Sequence, residues 1–180
     1  MTPRFVSSPL SRAMPLSGAR RQALRAGAAL LAVALLPVAG AAEAEVAVGS
    51  ALPPLSVNDQ FDRPVAVDAG TRLVLFAADK AAGDVATEAL KAKPEVLAQQ
   101  RLVYLADISG MPAVITRMFA LPKMRDLPFS VGLVRDAQLT AALPRKAGAL
   151  TLLVLDQGTV RGIEYLPDAA AVRQRLGIAS

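Results

Sequence analysis

Residues 73–77 read Leu-Val-Leu-Phe-Ala, with no polar side chain. A strand with one wet face alternates apolar and polar residues. An unbroken apolar run needs cover on both faces. Similar runs recur at Leu102–Ala106 and at Leu150–Leu155, the last broken only by Thr151. A helix-like stretch to about Lys91 follows the first run, with Val85, Ala89 and Leu90 near helical spacing. Pro94 interrupts it, and Glu95 to Gln100 reads as a second turn or helix. Buried strand, helix and buried strand in succession predict a crossover unit and a sheet covered on both sides.

The other segments fit around this unit. Pro53-Pro54 stiffens the approach to a short strand at Leu55–Gln60, and Val65–Val67 reads as its hairpin partner across the turn at Phe61–Pro64. Ala113–Ala120 is predicted helical, with Pro122 ending it. Ser130–Val134 is the next strand, and Leu139–Leu143 a short helix. Asp156-Gln157-Gly158 turns the chain into a strand at Thr159–Tyr165, and Pro167-Asp168 opens a last helix to about Leu176. The expected class is α/β: a hairpin, then β-α-β-α-β, then a hairpin and a helix, giving a largely parallel but mixed sheet with helices on both faces.

The chain carries a formal charge of +5, of which residues 1–44 supply +4 (five arginines against Glu43), leaving +1 for residues 45–180. A protein that tracks a phosphate backbone concentrates Lys and Arg on a patch, so the charge distribution argues against nucleic acid as a partner. The basic residues serve a leader instead. Arg20, Arg21 and Arg25 precede an apolar run from Ala26 to Leu36, Pro37 and Gly40 break it, and Ala42-Glu43-Ala44 fits a small-x-small cleavage site. That is the secretory signal pattern. Residues 1–44 are therefore expected to be a signal peptide, with Met14 an alternative start, and residues 45–180 the exported domain. The arginine pair is similar to the twin-arginine signal, and the general secretory route fits as well. The expected compartment is the periplasm, with membrane association only if the leader stays uncleaved as an anchor helix.

Cysteine and histidine are absent from the chain. Their absence removes thiol nucleophiles, disulfides, imidazole acid–base chemistry and nearly every zinc site. No Gly-x-Gly-x-x-Gly, P-loop or Gly-x-Ser-x-Gly pattern occurs, so no nucleotide or flavin cofactor is expected.

Three stretches together resemble the thioredoxin-like fold of exported thiol-disulfide and peroxiredoxin-type proteins. Gly49–Gln60 is similar to their lead-in strand and Asp-Gln turn. Leu73–Leu90 is similar to the strand, active-site turn and helix. Leu150–Gly158 is similar to the strand that follows a cis-proline and ends in an acidic-Gly hairpin. The resemblance spans most of residues 49–176. It implies a degenerate active-site turn at Asp79, Lys80, Ala81, Ala82, Gly83 and Asp84, with Ala81 and Asp84 standing where the two cysteines would lie. It also implies that Leu150 occupies the lost cis-proline position, where a cis bond before a non-proline residue would cost about 2.5–4 kcal/mol. The thiolate is the nucleophile in that chemistry, so the implied domain is redox-inactive.

Two kinds of site remain open. Asp79, Lys80, Asp84 and Asp107 lie at strand ends, where open α/β sheets bind ligands. They could form an acidic small-molecule or metal-binding enzyme site. Alternatively, Asp79 or Asp84 caps the helix that follows. Residues 111–129 place Met111, Arg117, Met118, Phe119, Lys123, Met124 and Arg125 together, the composition of a protein-docking surface. A packed crossover helix would produce the same pattern. Thioether sulfur from Met111, Met118 and Met124 suits Cu(I), but methionine at helical spacing also fills core gaps. The expected function is an exported, non-enzymatic binding or assembly module for an envelope protein, without metal or cofactor; the acidic enzyme site is the alternative.

Overall fold

The computed structural model describes residues 45–178; the proposed leader, residues 1–44, lies outside them. Strand β1, Leu55–Asn58, and β2, Pro64–Val67, form the first hairpin. Its turn is locked by Asp59, whose carboxylate accepts from the backbone N–H groups of Phe61 and Arg63 at 2.8 and 2.9 Å and from the Arg63 guanidinium. β3, Leu73–Ala77, is buried at every position, as its composition requires. Helix α1, Lys80–Lys91, follows it, and its buried Ala82, Ala86, Ala89 and Leu90 form one stripe. Three alanines on that stripe let the helix lie close to the sheet.

The short helix α2, Val96–Gln99, leads to β4, Leu102–Asp107. A helical segment then runs as α3, Ala113–Ile115, a π-helical turn at Thr116–Ala120, and α4, Leu121–Arg125. β5, Gly132–Val134, and a 3₁₀ turn at Ala137–Thr140 come next. β6, Leu150–Asp156, β7, Thr159–Leu166, and helix α5, Ala169–Leu176, complete the described chain. Asp168 caps α5 by accepting from Ala171 N–H, and Gly177, at φ +64°, closes its C-terminus. The β6–β7 hairpin turns through Gln157 and Gly158, both at positive φ, the geometry of a type I′ turn.

The seven strands order as β2-β1-β5-β4-β3-β6-β7. Only β3–β4 and β4–β5 pair in parallel; the four remaining pairings are antiparallel. The expectation of a largely parallel sheet is corrected here. Crossovers join only three consecutive strands, and each flanking hairpin must be antiparallel. The core has two layers. Leu73, Leu75, Tyr104, Leu150 and Leu152 face α1 and α5. Val74, Phe76, Leu105, Leu153 and Val160 face the opposite side, which also holds Val46 and Leu143. The chain from Val46 to Leu52 is tied there by Val46 N–H to Ala142 O and Leu52 N–H to Gly158 O, at 2.7 and 2.8 Å. β5 crosses this core so tightly that a Cβ at Gly132 would stand 2.8 Å from Leu105 Cδ2 and 3.0 Å from Val57 Cγ2.

Pro122 does not end the crossover helix. It sits in the first turn of α4, and the helix runs on to Arg125. A proline inside a regular helix loses the bond to the carbonyl four residues back and collides with it. The turn ahead of Pro122 is π-helical, with Leu121 N–H bonding the Thr116 carbonyl five residues back. That wider turn lets the proline pass without breaking the segment.

Candidate functional site: the groove at the head of helix α1

The site begins where β3 delivers the chain to α1. Asp79 is the N-cap, in extended conformation, and the side chain of Asp79 bonds in two directions. Its Oδ1 accepts from Ala82 N–H at 2.9 Å. Its Oδ2 accepts from Gly148 N–H at 2.8 Å, in the loop that leads to β6. One carboxylate thus satisfies a free helix amide and pins a loop 69 residues away. The Ala82 amide, then the Gly148 amide, hold the Asp79 carboxyl below its ordinary pKa against the opposing effect of partial burial.

Of the two candidate caps, Asp79 is the one used. Asp84 lies one turn into the helix and pairs with Lys80 at 2.5 Å. Both side chains are mostly exposed, so the pair contributes only a few tenths of a kcal/mol. Ala81 is exposed, Ala82 is buried in the core, and Gly83 is half-buried beside Tyr104. Asp107 closes β4, where its Oδ1 accepts from Ser109 N–H and Oγ at 3.0 and 2.6 Å. Arg145 approaches its other oxygen at 3.5 Å and stacks over the Phe76 ring at 5.3 Å. Leu150 begins β6, fully buried and paired with Leu166. The residue that touches the head of α1 is Gly148, two positions earlier.

These elements border a groove of about 360 Å³ between α1 and the 113–125 segment, with Tyr104, Ala106 and Val131 at its base. Asp79, Lys80, Asp84 and Asp107 all line it, so the structure gathers the four residues singled out in the sequence. It does not give them free carboxylates: each oxygen pair already has the partners named above. Among the described residues, no three acidic side chains come together to hold a metal ion.

The Met- and Arg-rich segment divides between two surfaces. Met111, Lys123 and Met124 face the groove. Arg117, Met118 and Phe119 lie on the outer face, with Met118 63% and Phe119 55% exposed. Arg125 turns back and donates through Nε to Gln60 O at 2.9 Å. The expected three-methionine cluster therefore does not form as one site. Sequence reasoning missed Val114 and Ile115, which extend the outer apolar face, and Tyr104, Thr87 and Lys91, which line the groove. An isolated tyrosine within Leu102-Val103-Tyr104-Leu105 was the available signal for the groove floor.

A hairpin, a crossover unit and a terminal hairpin with its helix, around a strand-to-helix junction at the sheet's carboxyl edge, define the thioredoxin-like fold. Solved structures bear this out. The peroxidoxin BcpB of Mycobacterium tuberculosis superposes with a TM-score of 0.51 at 13% identity, over 74% of this chain and 96% of that one. A candidate protein disulfide isomerase of Bacteroides thetaiotaomicron gives 0.50 at 11% identity, over 73% and 87%. At these identities the likeness is one of fold. No protein-family model and no curated protein sequence matches the chain.

Proposed function

We propose that the chain is an exported, redox-inactive thioredoxin-like protein that serves as a binding or assembly module, with the outer face of residues 113–120 as its contact surface. The observation that carries this reading is the exposure of Val114, Ile115, Met118 and Phe119, between 44% and 65% each, beside Arg117. Four large apolar side chains grouped on one short helical segment leave apolar area in water that a partner would cover. Of the basic residues in the segment, Arg117 lies on this face, whereas Lys123 faces the groove and Arg125 bonds Gln60. The partner is accordingly a protein offering an apolar cleft with an acidic group placed to meet Arg117. The leader pattern at residues 1–44 supports export to the periplasm, and absent cysteine supports the lack of thiol exchange.

The engagement of Asp79, Asp84 and Asp107 with amides, Lys80, Ser109 and Arg145 weighs against an acid-based enzyme. A general base needs a carboxylate free to take a proton within reach of substrate. The test is capture from an envelope fraction with the full chain and with a Met118→Glu/Phe119→Glu variant. A partner retained by the first and lost by the second supports the reading. A partner retained equally by both refutes the assigned surface. Localisation is checked by fractionation and by sequencing the N-terminus of the native protein.

A further inference from the structure

We propose that the groove beneath α1 is a binding site for a small aliphatic carboxylate, held by the Tyr104 hydroxyl, with Lys91 and Lys123 at its mouth. This site is separate from the docking surface and stands or falls without it. Tyr104 is 3% exposed, and its ring packs edge-on against Phe129 at 6.3 Å. A buried tyrosine normally finds a partner for its hydroxyl. Among the described residues the Tyr104 hydroxyl has none in hydrogen-bond contact, yet no sealed side-chain polar atom there lacks a partner. Both statements hold because the hydroxyl opens onto the groove beside Gly83, where a Cβ would sit 3.8 Å from it.

The surroundings define what such a hydroxyl would bind. Burial, and secondarily the Asp84 charge, hold the Tyr104 phenol well above its ordinary pKa, so it stays protonated and can donate at neutral pH. The ligand must then supply an acceptor. Met111, Ala120, Met124 and Leu127 line the far wall, an adaptable apolar surface for an unbranched chain. Asp84 and Asp107 are ion-paired and Asp79 is held by two backbone amides, while Lys91 and Lys123 form no ion pair among the described residues. The two lysines left without an ion-pair partner on the groove favour an anionic acceptor placed toward them. The volume of about 360 Å³ falls within the ~300–1,000 Å³ of small-ligand pockets.

The chain has no tryptophan and two tyrosines, which makes the site observable. In a Tyr165→Phe background Tyr104 is the only strong emitter, and Tyr165 lies outside the groove lining. Titration of that full-length variant with octanoate should give a saturable change in tyrosine emission. Octanol, with the same chain and no charge, should bind about tenfold more weakly, the scale of one charge-assisted hydrogen bond. Lys91→Gln/Lys123→Gln should weaken octanoate several-fold and leave octanol unchanged; both lysines are exposed, so folding is not at stake. Tyr104→Phe, read by calorimetry and checked for an unchanged melting curve, should lose about tenfold in octanoate affinity. Linear, non-saturating emission, equal affinity for octanol, or octanoate binding indifferent to both variants would overturn the assignment.

Discussion

Replacing Asp79 with alanine isolates the contact on which the head of α1 depends. The wild-type carboxylate makes two bonds to backbone amides, at 2.9 Å to Ala82 and 2.8 Å to Gly148. Loss of an N-cap costs about 1 kcal/mol. A charge-assisted bond to a second, partly buried amide contributes about 1.5–3 kcal/mol, and its loss leaves that N–H without a partner. Asp79→Ala should therefore destabilise the protein by about 2–4 kcal/mol in urea denaturation at pH 7, with the m-value unchanged. Asp79→Ser separates the two parts. Serine can still cap α1 but is too short to bridge to Gly148, so it should recover about 1 kcal/mol and no more. The folded pKa of Asp79 lies below its ordinary value of 3.8. Its contribution is accordingly complete above the ordinary carboxylate range and is lost as pH falls through the folded pKa. Below that range the gap between wild type and Asp79→Ser should close. An Asp79→Ala variant within 0.5 kcal/mol of wild type, a threshold set by ordinary surface substitutions at about ±0.5 kcal/mol, would refute the clamp.

Three further outcomes follow from the packing. Asp59 is buried, which by itself would raise its pKa, but the Arg63 amide and guanidinium, the Phe61 amide and the Ser130 hydroxyl together lower it from 3.8 to about 2. Its share of stability, about 2 kcal/mol, should be present above pH 4 and vanish as pH falls through 2, and acid titration of Asp59→Asn should show a flatter profile over that window. Gly132→Ala should cost about 1–3 kcal/mol by thermal denaturation, because the new methyl would collide with Leu105 and Val57. Met118→Glu/Phe119→Glu should leave stability within about 0.5 kcal/mol, since both side chains are in solvent.

The strands were legible in the sequence where burial on both faces left no choice of residue. Leu73–Ala77, Leu102–Ala106 and the Gln157-Gly158 turn fall where the apolar runs and turn chemistry place them. Asp168 and Asp79 announce their helices because a capping carboxylate is a local device. Strand pairing was less legible: β6 pairs with β3 rather than extending the sheet beyond β5, a choice made by contacts over 70 residues apart in sequence. The run Val114–Phe119 shows why apolar pattern alone does not give orientation. Its spacing suits a buried crossover helix, but the π-turn forced ahead of Pro122 widens the helix and shifts its side chains out of phase. Leu121, Met124 and Leu127 then carry the packing against the core, and the preceding turn faces water. Tyr104 was hidden for the opposite reason, since a tyrosine in an apolar strand reads as core until a cavity opens at its hydroxyl.

The account holds that the Asp79 carboxylate caps α1 and ties that helix to the loop before β6. The direct measurement is a pH titration of the backbone amide resonances of Ala82 and Gly148. Both should shift with one shared midpoint below 3.8, and both shifts should disappear in Asp79→Ser, whose hydroxyl does not titrate in that range. Independent midpoints, or a Gly148 amide that ignores pH across the carboxylate range, would contradict it.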